Sequence, residues 1–538
     1  MRLRSLRVLS CLALSLLSAC GGGGGGGSST PPQTGGSAPA PSPSVSLAMT
    51  TAPIDLNVIS GESADMTVQG TWTKQNLDAP VYLSVRDAGG RFTLPQPAVA
   101  TGTAFSMKLS APSTLAAGTY DGTLELRACK DAACADTWAG TASLAYTMKV
   151  APPEWAMYQG NPAHTGYVPV TLDPARFAKA WEWQRKETSP LGAAINPVVT
   201  RNGTVFITGD VYFGQGIVYA LSEQDGSETW RYPMGQVPAL GPPSVSKGRV
   251  YAAVTGQGET TLWAFDAAKG DVLAKSAFEG QLPHVMAPTV SGDMVLTGAG
   301  QFGGKTYAFS TSTGASNWVH DAGGVWDMWA PAADDTYVYH HNGAALFMID
   351  RASGATVAQI ADPLSTGNTS NGYFGGPVLG SKRDAISFAG GAFSGRASSS
   401  QEHYDQRVLS SFDLTQRRYN WSTANPYLTA PALADGVLYA GRNTPSVLDA
   451  MDEATGKVLW SWFPPESAET IHRNIIVTRN LLFVSTDRAV YAIDLATRKS
   501  VWRYAEPGAL ALSADRTLYI AVGATSSTGK LVAIRLQK

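Results

Sequence analysis

Cysteine and charge are both scarce in this chain of 538 residues, and each shortage narrows the class of protein. Only four cysteines occur and none follows Cys134, so most of the chain has no thiolate for a metal site or a nucleophile. Charged residues make up 15%, with 40 basic against 42 acidic side chains. Because nucleic-acid surfaces need clustered positive charge, this balance argues against a nucleic-acid partner.

Periodic helical patterns and long apolar runs are also scarce. Arg2, Arg4 and Arg7 precede a short apolar core, Val8–Leu17, and this arrangement is typical of an export signal. No other stretch is long and apolar enough to span a bilayer. Glycine is abundant, with 56 residues, and this composition favours an exported all-β protein.

The end of the signal, Leu17-Ser18-Ala19-Cys20, resembles the bacterial lipobox. The resemblance implies that residues 1–20 are a lipoprotein signal and that Cys20 is acylated; an ordinary secretory signal is the alternative. Residues 21–43 are rich in Gly, Ser and Pro and are predicted to form a tether with a reach of ~25–30 Å. By resemblance to enterobacterial sorting, Gly21 suggests the outer membrane, with the protein facing the periplasm.

Residues 44–151 are predicted to form a small β-sandwich of immunoglobulin-like type, because apolar and polar residues alternate in six segments. The stretch Leu115–Tyr120 resembles the corner at which a tyrosine hydroxyl bonds to the backbone. Cys129 and Cys134 lie close together in an exported chain, which predicts a disulfide across a turn. A redox or metal role is the less favoured alternative, because the spacing is not Cys-x-x-Cys and no histidine is near.

An eleven-residue phrase recurs through the rest of the chain and is best spelled at 450–460, Ala-Met-Asp-Glu-Ala-Thr-Gly-Lys-Val-Leu-Trp. It predicts two strands joined by a tight turn. The copies end at positions 230, 274, 318, 358, 421, 460 and 502. A period of ~40–50 residues with about four strands per unit predicts a β-propeller.

The number of units follows from the two ends of this region. Seven full copies are visible, and an eighth unit begins after Trp502 but ends at Lys538 before its fourth strand. A strand at 179–184 precedes the first copy and would complete that last unit. Residues 154–538 are therefore predicted to form an eight-bladed β-propeller, with seven blades as the alternative.

From Trp155 onward the chain resembles the PQQ-like β-propeller repeat family. The phrase carries this resemblance, together with the opening Trp155…Tyr158…Gly160-Asn161…His164-Thr165-Gly166. The family includes quinoprotein dehydrogenases and BamB-like outer-membrane assembly lipoproteins, and both are built on the same fold. The lipobox and tether favour the BamB-like branch, whereas the N-terminal sandwich departs from it.

The dehydrogenase alternative implies a quinone cofactor, and the sequence disfavours it. Many members of that branch carry adjacent cysteines over the quinone and a calcium bound by Glu, Asn and Asp, but this chain has no Cys-Cys pair. The recurring Asp266, Asp350, Asp413, Asp452 and Asp494 are expected to shape turns, because they repeat from blade to blade. We therefore expect no catalytic residue, no metal and no cofactor, with PQQ as the disfavoured alternative.

Loops that enter the innermost strands are expected to converge at one mouth of the central channel. Aromatic and polar residues there suit protein, peptide or glycan binding. The candidate binding residues are His284, Trp326, Asp327, Trp329, Tyr373, Phe374, Tyr427, His472 and Arg473. The alternative is that the aromatic residues pack between blades. A long insertion at 390–406 is predicted to be a further contact element.

These observations together predict a non-catalytic, monomeric, lipid-anchored scaffold that binds an envelope protein or peptide, with outer-membrane assembly as one setting. A PQQ-dependent periplasmic oxidoreductase and a glycan-binding surface lipoprotein are the alternatives.

Overall fold

The computed structural model describes residues 42–538, except 61–62, 113, 188–193, 210, 257–259, 281–285, 299–303, 322, 324–329, 366–375, 389–406, 524–528 and 538. The predicted all-β class is confirmed: forty strands and one 3-10 turn, Pro174–Arg176, are found in this part of the chain. No helix within it is long and apolar enough to cross a membrane.

Residues 44–151 form two sheets that enclose one apolar core. The first contains β1 (Ser44–Met49), β3 (Ala64–Gln75) and β6 (Ala104–Ala111), in the order β1-β3-β6. The second contains β2 (Ile54–Ile59), β4 (Tyr82–Asp87), β5 (Ala98–Val99), β7 (Gly118–Cys129) and β8 (Thr137–Ala151), in the order β2-β8-β7-β4-β5. The alternating pattern of these strands buries one side of each sheet, for example Val68, Leu109 and Leu124.

Two local predictions for this sandwich are confirmed. The Tyr120 hydroxyl donates a hydrogen bond of 2.7 Å to the Ala116 carbonyl oxygen, which ties the corner to the strand that follows. Cys129 and Cys134 form a disulfide across the turn between β7 and β8. The immunoglobulin-like subclass stays a prediction.

The second region consists of six four-stranded sheets and one eight-stranded sheet. The eight-stranded sheet comprises two four-stranded units joined by the cross-strand pairs Ala239–Thr255 and Leu240–Val254, so we number eight units as blades in chain order. Blade 1 contains β10 (Val199–Arg201), β11 (Thr204–Thr208), β12 (Val211–Ser222) and β13 (Glu228–Leu240). Blade 2 contains β14 (Ser244–Ser246), β15 (Arg249–Thr255), β16 (Thr261–Asp266) and β17 (Val272–Ala277). Blade 3 contains β18 (Thr289–Ser291), β19 (Met294–Gly298), β20 (Thr306–Ser310) and β21 (Ser316–His320). Blade 4 contains β22 (Ala332–Ala333), β23 (Tyr337–His341), β24 (Ala345–Asp350) and β25 (Thr356–Ala361).

The remaining four blades follow the same plan. Blade 5 contains β26 (Val378–Leu379), β27 (Asp384–Phe388), β28 (Leu409–Asp413) and β29 (Arg418–Ser422). Blade 6 contains β30 (Ala432–Ala434), β31 (Val437–Asn443), β32 (Ser446–Asp452) and β33 (Val458–Trp462). Blade 7 contains β34 (Ile471–Val477), β35 (Leu481–Thr486), β36 (Val490–Asp494) and β37 (Lys499–Tyr504). Blade 8 combines β38 (Ala509–Leu512), β39 (Thr517–Val522) and β40 (Lys530–Arg535) with β9 (Ala178–Gln184).

The pairing of β40 with β9 joins the two ends of the propeller region, as the sequence predicted for residues 179–184. Ala533 lies opposite Trp181 in this antiparallel pair. First strands of successive blades contact one another from blade 1 to blade 5 and from blade 6 to blade 8, and β10 also contacts β38, so these strands line a central channel. Pairing of β40 with β9 leaves no unpaired strand edge between the last and first blades.

The eleven-residue phrase forms the third and fourth strands of each blade. Its first and last residues are cross-strand partners, as in the pairs Ala450–Trp460 and Ala220–Trp230. A β-bulge follows the first residue in each copy, which fits the odd residue count of the turn. A small first residue therefore lies opposite the large tryptophan.

Each blade has two ends, and they differ in content. We call the end that carries the loops entering the first strands the loop face. We call the opposite end, which carries the first-to-second-strand hairpins and the phrase turns, the hairpin face. The sandwich lies against the hairpin face, where its Ser63 and Thr114 border the same cleft as Lys247 and Arg383.

Candidate functional site

Residues 155–170 run through the central channel, and we call this segment the axial strap. Backbone hydrogen bonds join it to first strands of six blades, through Thr200, Val245, Ala333, Leu379, Leu433 and Val477. Several strap residues adopt positive φ, including Gln159 at 52°, Gly160 at 87° and Gly166 at 61°. Positive φ bends the chain sharply, so a short segment can contact strands around the whole ring.

His164 is the most deeply placed titratable group of the strap. Its Nδ1 lies 3.0 Å from the Pro377 carbonyl oxygen and its Nε2 lies 3.2 Å from Thr289 Oγ1. Burial lowers the pKa of His164 to about 4, because a charged imidazolium would lose its hydration there. His164 is therefore neutral at physiological pH and joins blade 3 to blade 5 through the strap.

Gln159 fills a similar position on the other side of the channel. Its amide nitrogen donates to the Pro431 carbonyl oxygen at 2.8 Å, and its amide oxygen accepts from Asn474 at 3.1 Å. The Asn474 amide also donates to the Leu510 carbonyl oxygen at 2.9 Å. The polar groups of the strap are thus paired with blades 6, 7 and 8 and serve structure.

Three of the predicted binding residues lie within the described part of the chain, and they fall into two environments. Tyr427 is only 1% exposed and packs in the core between blades 5 and 6, where its hydroxyl donates to Asp449 Oδ2 at 2.8 Å. His472 and Arg473 lie on a bulge of β34 and are half-buried. The structure therefore buries Tyr427 in the core between two blades, and leaves His472 and Arg473 near the loop face.

The other predicted positions lie outside the described residues. These are the lipidation residue Cys20, the candidate binding residues His284, Trp326, Asp327, Trp329, Tyr373 and Phe374, and the insertion at 390–406.

The described loop face also presents exposed apolar side chains that the sequence analysis did not single out. Phe213 at the start of β12 and Phe463 just after β33 are each 62% exposed, and Leu364 lies on the loop after β25. Phe213 has φ 53°, a conformation unusual for an aromatic residue, which sets it in a tight bend. An aromatic residue at the end of a predicted strand is normally expected to be buried, so no local sequence pattern indicates that Phe213 and Phe463 are exposed.

Each described histidine has a structural partner. His320 Nε2 lies 2.7 Å from Thr356 Oγ1, and His340 Nδ1 lies 2.7 Å from Thr306 Oγ1. His341 faces the opposite side of β23, with Nε2 3.4 Å from Asp362 Oδ2, and His472 Nε2 lies 2.8 Å from Thr470 Oγ1. His340 and His341 thus point to opposite sides of their strand, because successive side chains alternate along a strand.

The recurring aspartates are turn residues, which confirms that interpretation. Asp266 Oδ1 accepts from the backbone N–H groups of Ala268 and Lys269, each at 2.9 Å. The equivalent aspartates at 350, 413 and 494 accept in the same way from their own turns, and Asp452 accepts from the Thr455 hydroxyl. Among the described residues, no three His, Cys, Asp or Glu side chains come together as a metal-binding group.

A cleft of about 420 Å³ separates the sandwich from the hairpin face. Asn161 and Thr165 of the strap form part of its wall, beside hairpins of blades 2 to 5. Its charged side chains have both signs, with Lys247 and Arg383 opposite Asp334 and Asp335. The cleft therefore has no single charge that would select an anion or a cation.

The comparisons with known proteins agree with this architecture. The family model described as outer membrane protein assembly factor BamB matches residues 166–273, 214–462 and 405–538. The tetrathionate hydrolase of Acidithiobacillus ferrooxidans is 22% identical over 461 residues, covering 72% of this chain and 87% of that protein.

Solved structures are similar in fold at low sequence identity. A europium-containing methanol dehydrogenase has a TM-score of 0.52 at 13% identity, covering 71% of this chain and 98% of its own. The quinohemoprotein alcohol dehydrogenase of Comamonas testosteroni has a TM-score of 0.51 at 14% identity, covering 72% of this chain and 81% of its own. At these identities the likeness concerns the fold alone.

The family match extends from residue 166 to residue 538, which is more than half of the chain. It covers the repeated phrase and the blades that the phrase builds. The chain belongs to the family of the outer membrane protein assembly factor BamB, within the PQQ-like β-propellers.

Proposed function

We propose that this protein is a non-catalytic scaffold of the cell envelope that binds a protein or peptide segment at the loop face of its propeller. The observation that carries this proposal is the axial strap. It occupies the channel, and its polar side chains Gln159 and His164 are bonded to the surrounding blades. A channel occupied in this way leaves the outer surface of the ring for recognition.

The fold family includes enzymes that use a quinone with calcium, and such a site would need suitable metal ligands in this chain. Calcium prefers several carboxylate and carbonyl oxygens at one point. The described residues bring no three acidic, histidine or cysteine side chains together, and the recurring aspartates are used in turns. These residues do not fit a calcium-bound quinone, and no catalytic step is derived through one.

Exposed aromatic side chains support recognition of an apolar protein segment. Phe213 and Phe463 lie on the loop face of blades 1 and 6, the same face that carries the half-buried His472 and Arg473 of blade 7. Aromatic anchors flanked by polar groups are common at protein interfaces. The family's description as an assembly factor for outer membrane proteins fits a partner of this kind.

Capture from solubilised envelopes tests the binding surface. The variant Phe213→Ser/Phe463→Ser should recover at least about tenfold less of the main partner than the wild type, because two anchors are removed. The matched control is Leu273→Ser/Val319→Ser, which alters exposed apolar residues on outer strands of blades 2 and 3. Equal recovery by all three proteins would exclude the loop face as the interface.

An enzyme is the second candidate, favoured by the match to tetrathionate hydrolase over 87% of that protein. Purified protein should be assayed for tetrathionate hydrolysis and, with saturating PQQ and calcium, for dye reduction with alcohols. The scaffold proposal expects no turnover above the buffer rate in either assay. Sustained turnover that is lost on heat denaturation would replace the scaffold with an enzyme.

We further propose that Cys20 carries a lipid that anchors the chain, with residues 21–43 as its tether. Ser44, where β1 begins, pairs with Gln75 at one end of β3, whereas Ser63 at the other end borders the propeller. The sandwich therefore separates the tether from the propeller by the length of β3, which is 12 residues or ~40 Å. This geometry supports a spacer role for the sandwich.

A further inference from the structure

Two buried carboxyl groups meet between blades 5 and 6. Glu453, the fourth residue of the best phrase copy, is fully buried and accepts from the Ser381 hydroxyl at 2.7 Å and the Lys382 N–H at 3.2 Å. Asp384, the first residue of β27, is 5% exposed and accepts from the Ser411 hydroxyl at 3.0 Å. The phrase turn of blade 6 is thereby joined to the first-to-second-strand hairpin of blade 5.

One oxygen of this pair has no hydrogen-bond donor. Asp384 Oδ1 is buried without a hydrogen-bond partner. This oxygen and Glu453 Oε1 both lie close to Gly380. Two carboxylates in contact inside a protein cannot both keep their charge. A proton held by one of them supplies the missing donor and removes the repulsion.

The seam between blades 8 and 1 repeats this arrangement at the equivalent position of the phrase. Glu223, also a fourth residue, is 7% exposed, and its Oε1 is buried without a partner. It faces Ser513 and Tyr519 of blade 8, with the carboxylates of Asp515 and Glu154 nearby. The Ser513 and Tyr519 hydroxyls favour the charged form of Glu223, because each can donate to its carboxylate, whereas burial and the carboxylates of Asp515 and Glu154 favour the protonated form.

We propose that these two seams are proton-dependent latches, each closed while its buried carboxyl holds a proton and loosened when that proton is lost. The proposal is independent of the scaffold function. It rests on a buried carboxyl at the fourth phrase position, Glu453 or Glu223, that lies each time against the first hairpin of the preceding blade. At the first seam, Asp384 of that hairpin adds a second carboxyl.

The direction of the effect follows from the surroundings of each group. Burial and then the neighbouring Glu453 raise the pKa of Asp384 to about 7, and burial raises that of Glu223 to about 7. The charged groups on elements packed around Asp384 are Lys382 and Arg383 of its own hairpin and Asp435 on the hairpin of blade 6, and all three are exposed. The charged groups around Glu223 are Asp515 and Glu154. Since the unfolded pKa of a carboxyl is near 4, the latches are tightest below that pH and weaken as pH rises from about 4 to 7.

Loosening of the two latches would change two parts of the propeller. The hairpin Gly380–Arg383 lines the cleft beneath the sandwich, so opening of the first latch changes that cleft. The second latch lies next to the closure of the ring, where Trp181 of β9 donates from its indole to the Glu223 carbonyl oxygen at 2.9 Å. Both the sandwich-facing surface and the ring closure thus respond to the pH of the compartment.

Hydrogen exchange measured by mass spectrometry tests the proposal on the full chain. After correction for intrinsic exchange, segments 379–384 and 513–519 should exchange roughly tenfold faster at pH 8 than at pH 5.5. Segment 289–296 of blade 3 should change little, because the phrase of the next blade has Arg351 at the fourth position, and its guanidinium donates to the Ser291 carbonyl oxygen at 2.8 Å. Equal acceleration of all three segments would overturn the latches.

Variants assign the effect to the carboxyls. Asp384→Asn/Glu223→Gln should remove the difference between pH 5.5 and pH 8, while Asp271→Asn, the same change at an exposed turn acid of blade 2, should keep it. Persistence of the difference in the double variant would contradict the proposal. If that variant does not fold, infrared spectroscopy of the wild type decides, because a buried protonated carboxyl band must be present at pH 5.5 and lost by pH 8.

Discussion

The ring of Trp421 lies against Gly456, and its indole Nε1 donates a hydrogen bond of 3.1 Å to the Glu453 carbonyl oxygen in the same turn. Trp421 ends the phrase of blade 5, and Gly456 belongs to the phrase of blade 6. The contact recurs in the pairs Trp181–Gly226, Trp230–Gly270 and Trp318–Gly354. The glycine and tryptophan of the phrase are therefore partners across blades, and their recurrence reports ring assembly.

Two copies have arginine in place of the glycine of the phrase. Arg417 follows a blade whose phrase ends with Ala358. Arg498 lies with its guanidinium carbon 5.7 Å from the centre of the Trp460 ring. Because Gly314 also follows an alanine, Ala274, the size of the preceding neighbour does not by itself decide which residue stands at the glycine position.

Substitution of Gly456 tests this contact. Gly456→Ala should lower the free energy of unfolding by about 2–4 kcal/mol, because φ is 66° and the new methyl would overlap the Trp421 ring. Gly248→Ala is the control, with φ 74° and open space around the methyl, and should cost only about 1–2 kcal/mol. Equal losses in urea unfolding would show that the tryptophan contact contributes nothing.

Tyr427→Phe should cost only about 1 kcal/mol of stability and leave partner capture unchanged. The Asp449 carboxylate would keep its bonds to Arg442 Nε at 3.0 Å and to the Ser461 hydroxyl at 2.5 Å. Asp449→Ala should cost about 3 kcal/mol or more, because the largely buried Arg442 then loses its counter-charge. A selective loss of capture by Tyr427→Phe would restore Tyr427 to the binding surface.

Stability should also fall on the acid side, through His164. Its folded pKa of about 4 lies below the unfolded value of about 6.5, so the unfolded chain binds more protons between these pH values. The loss should develop as pH falls from 6.5 to 4 and reach about 3 kcal/mol. His164→Gln, followed by urea unfolding across this range, should flatten the acid limb; an unchanged slope would assign it to other groups.

The sequence could predict the repeating part of the fold because the phrase records contacts that every blade makes. Its glycine, aspartate and tryptophan specify a turn and a neighbour, and those requirements do not depend on the rest of the chain. The pairing of β9 with β40 could also be predicted, since the last unit visibly lacked a strand.

The candidate site could be predicted only in part, because it depends on what does not repeat. The sequence places Tyr427 in a loop, but in the folded ring its hydroxyl donates to Asp449 within a core formed by two blades. The strap contains the opening that carried the family resemblance, but its sequence does not show that it bonds to first strands of six blades or that His164 is left-handed, at φ 58°. The local sequence around His164 gives no indication of its long-range partner, the Pro377 carbonyl oxygen.

Removal of the proposed lipid site gives a prediction for the anchor. Cys20→Ala should abolish labelling with a palmitate analogue and move the protein from the membrane fraction to the soluble fraction. The propeller should remain folded, because the described contacts of the ring involve only residues from 154 onward. Continued membrane retention without label would show that another element holds the protein there.

Site-specific photo-crosslinking in intact cells tests the scaffold claim most directly. A photoreactive phenylalanine analogue at position 213 or 463 reports on the loop face, and the same analogue at 273 or 319 reports on exposed outer strands. The account predicts one shared envelope protein crosslinked from both loop-face positions and absent from both outer-strand positions. Crosslinks only from the outer strands, or none from either loop-face position, would contradict it.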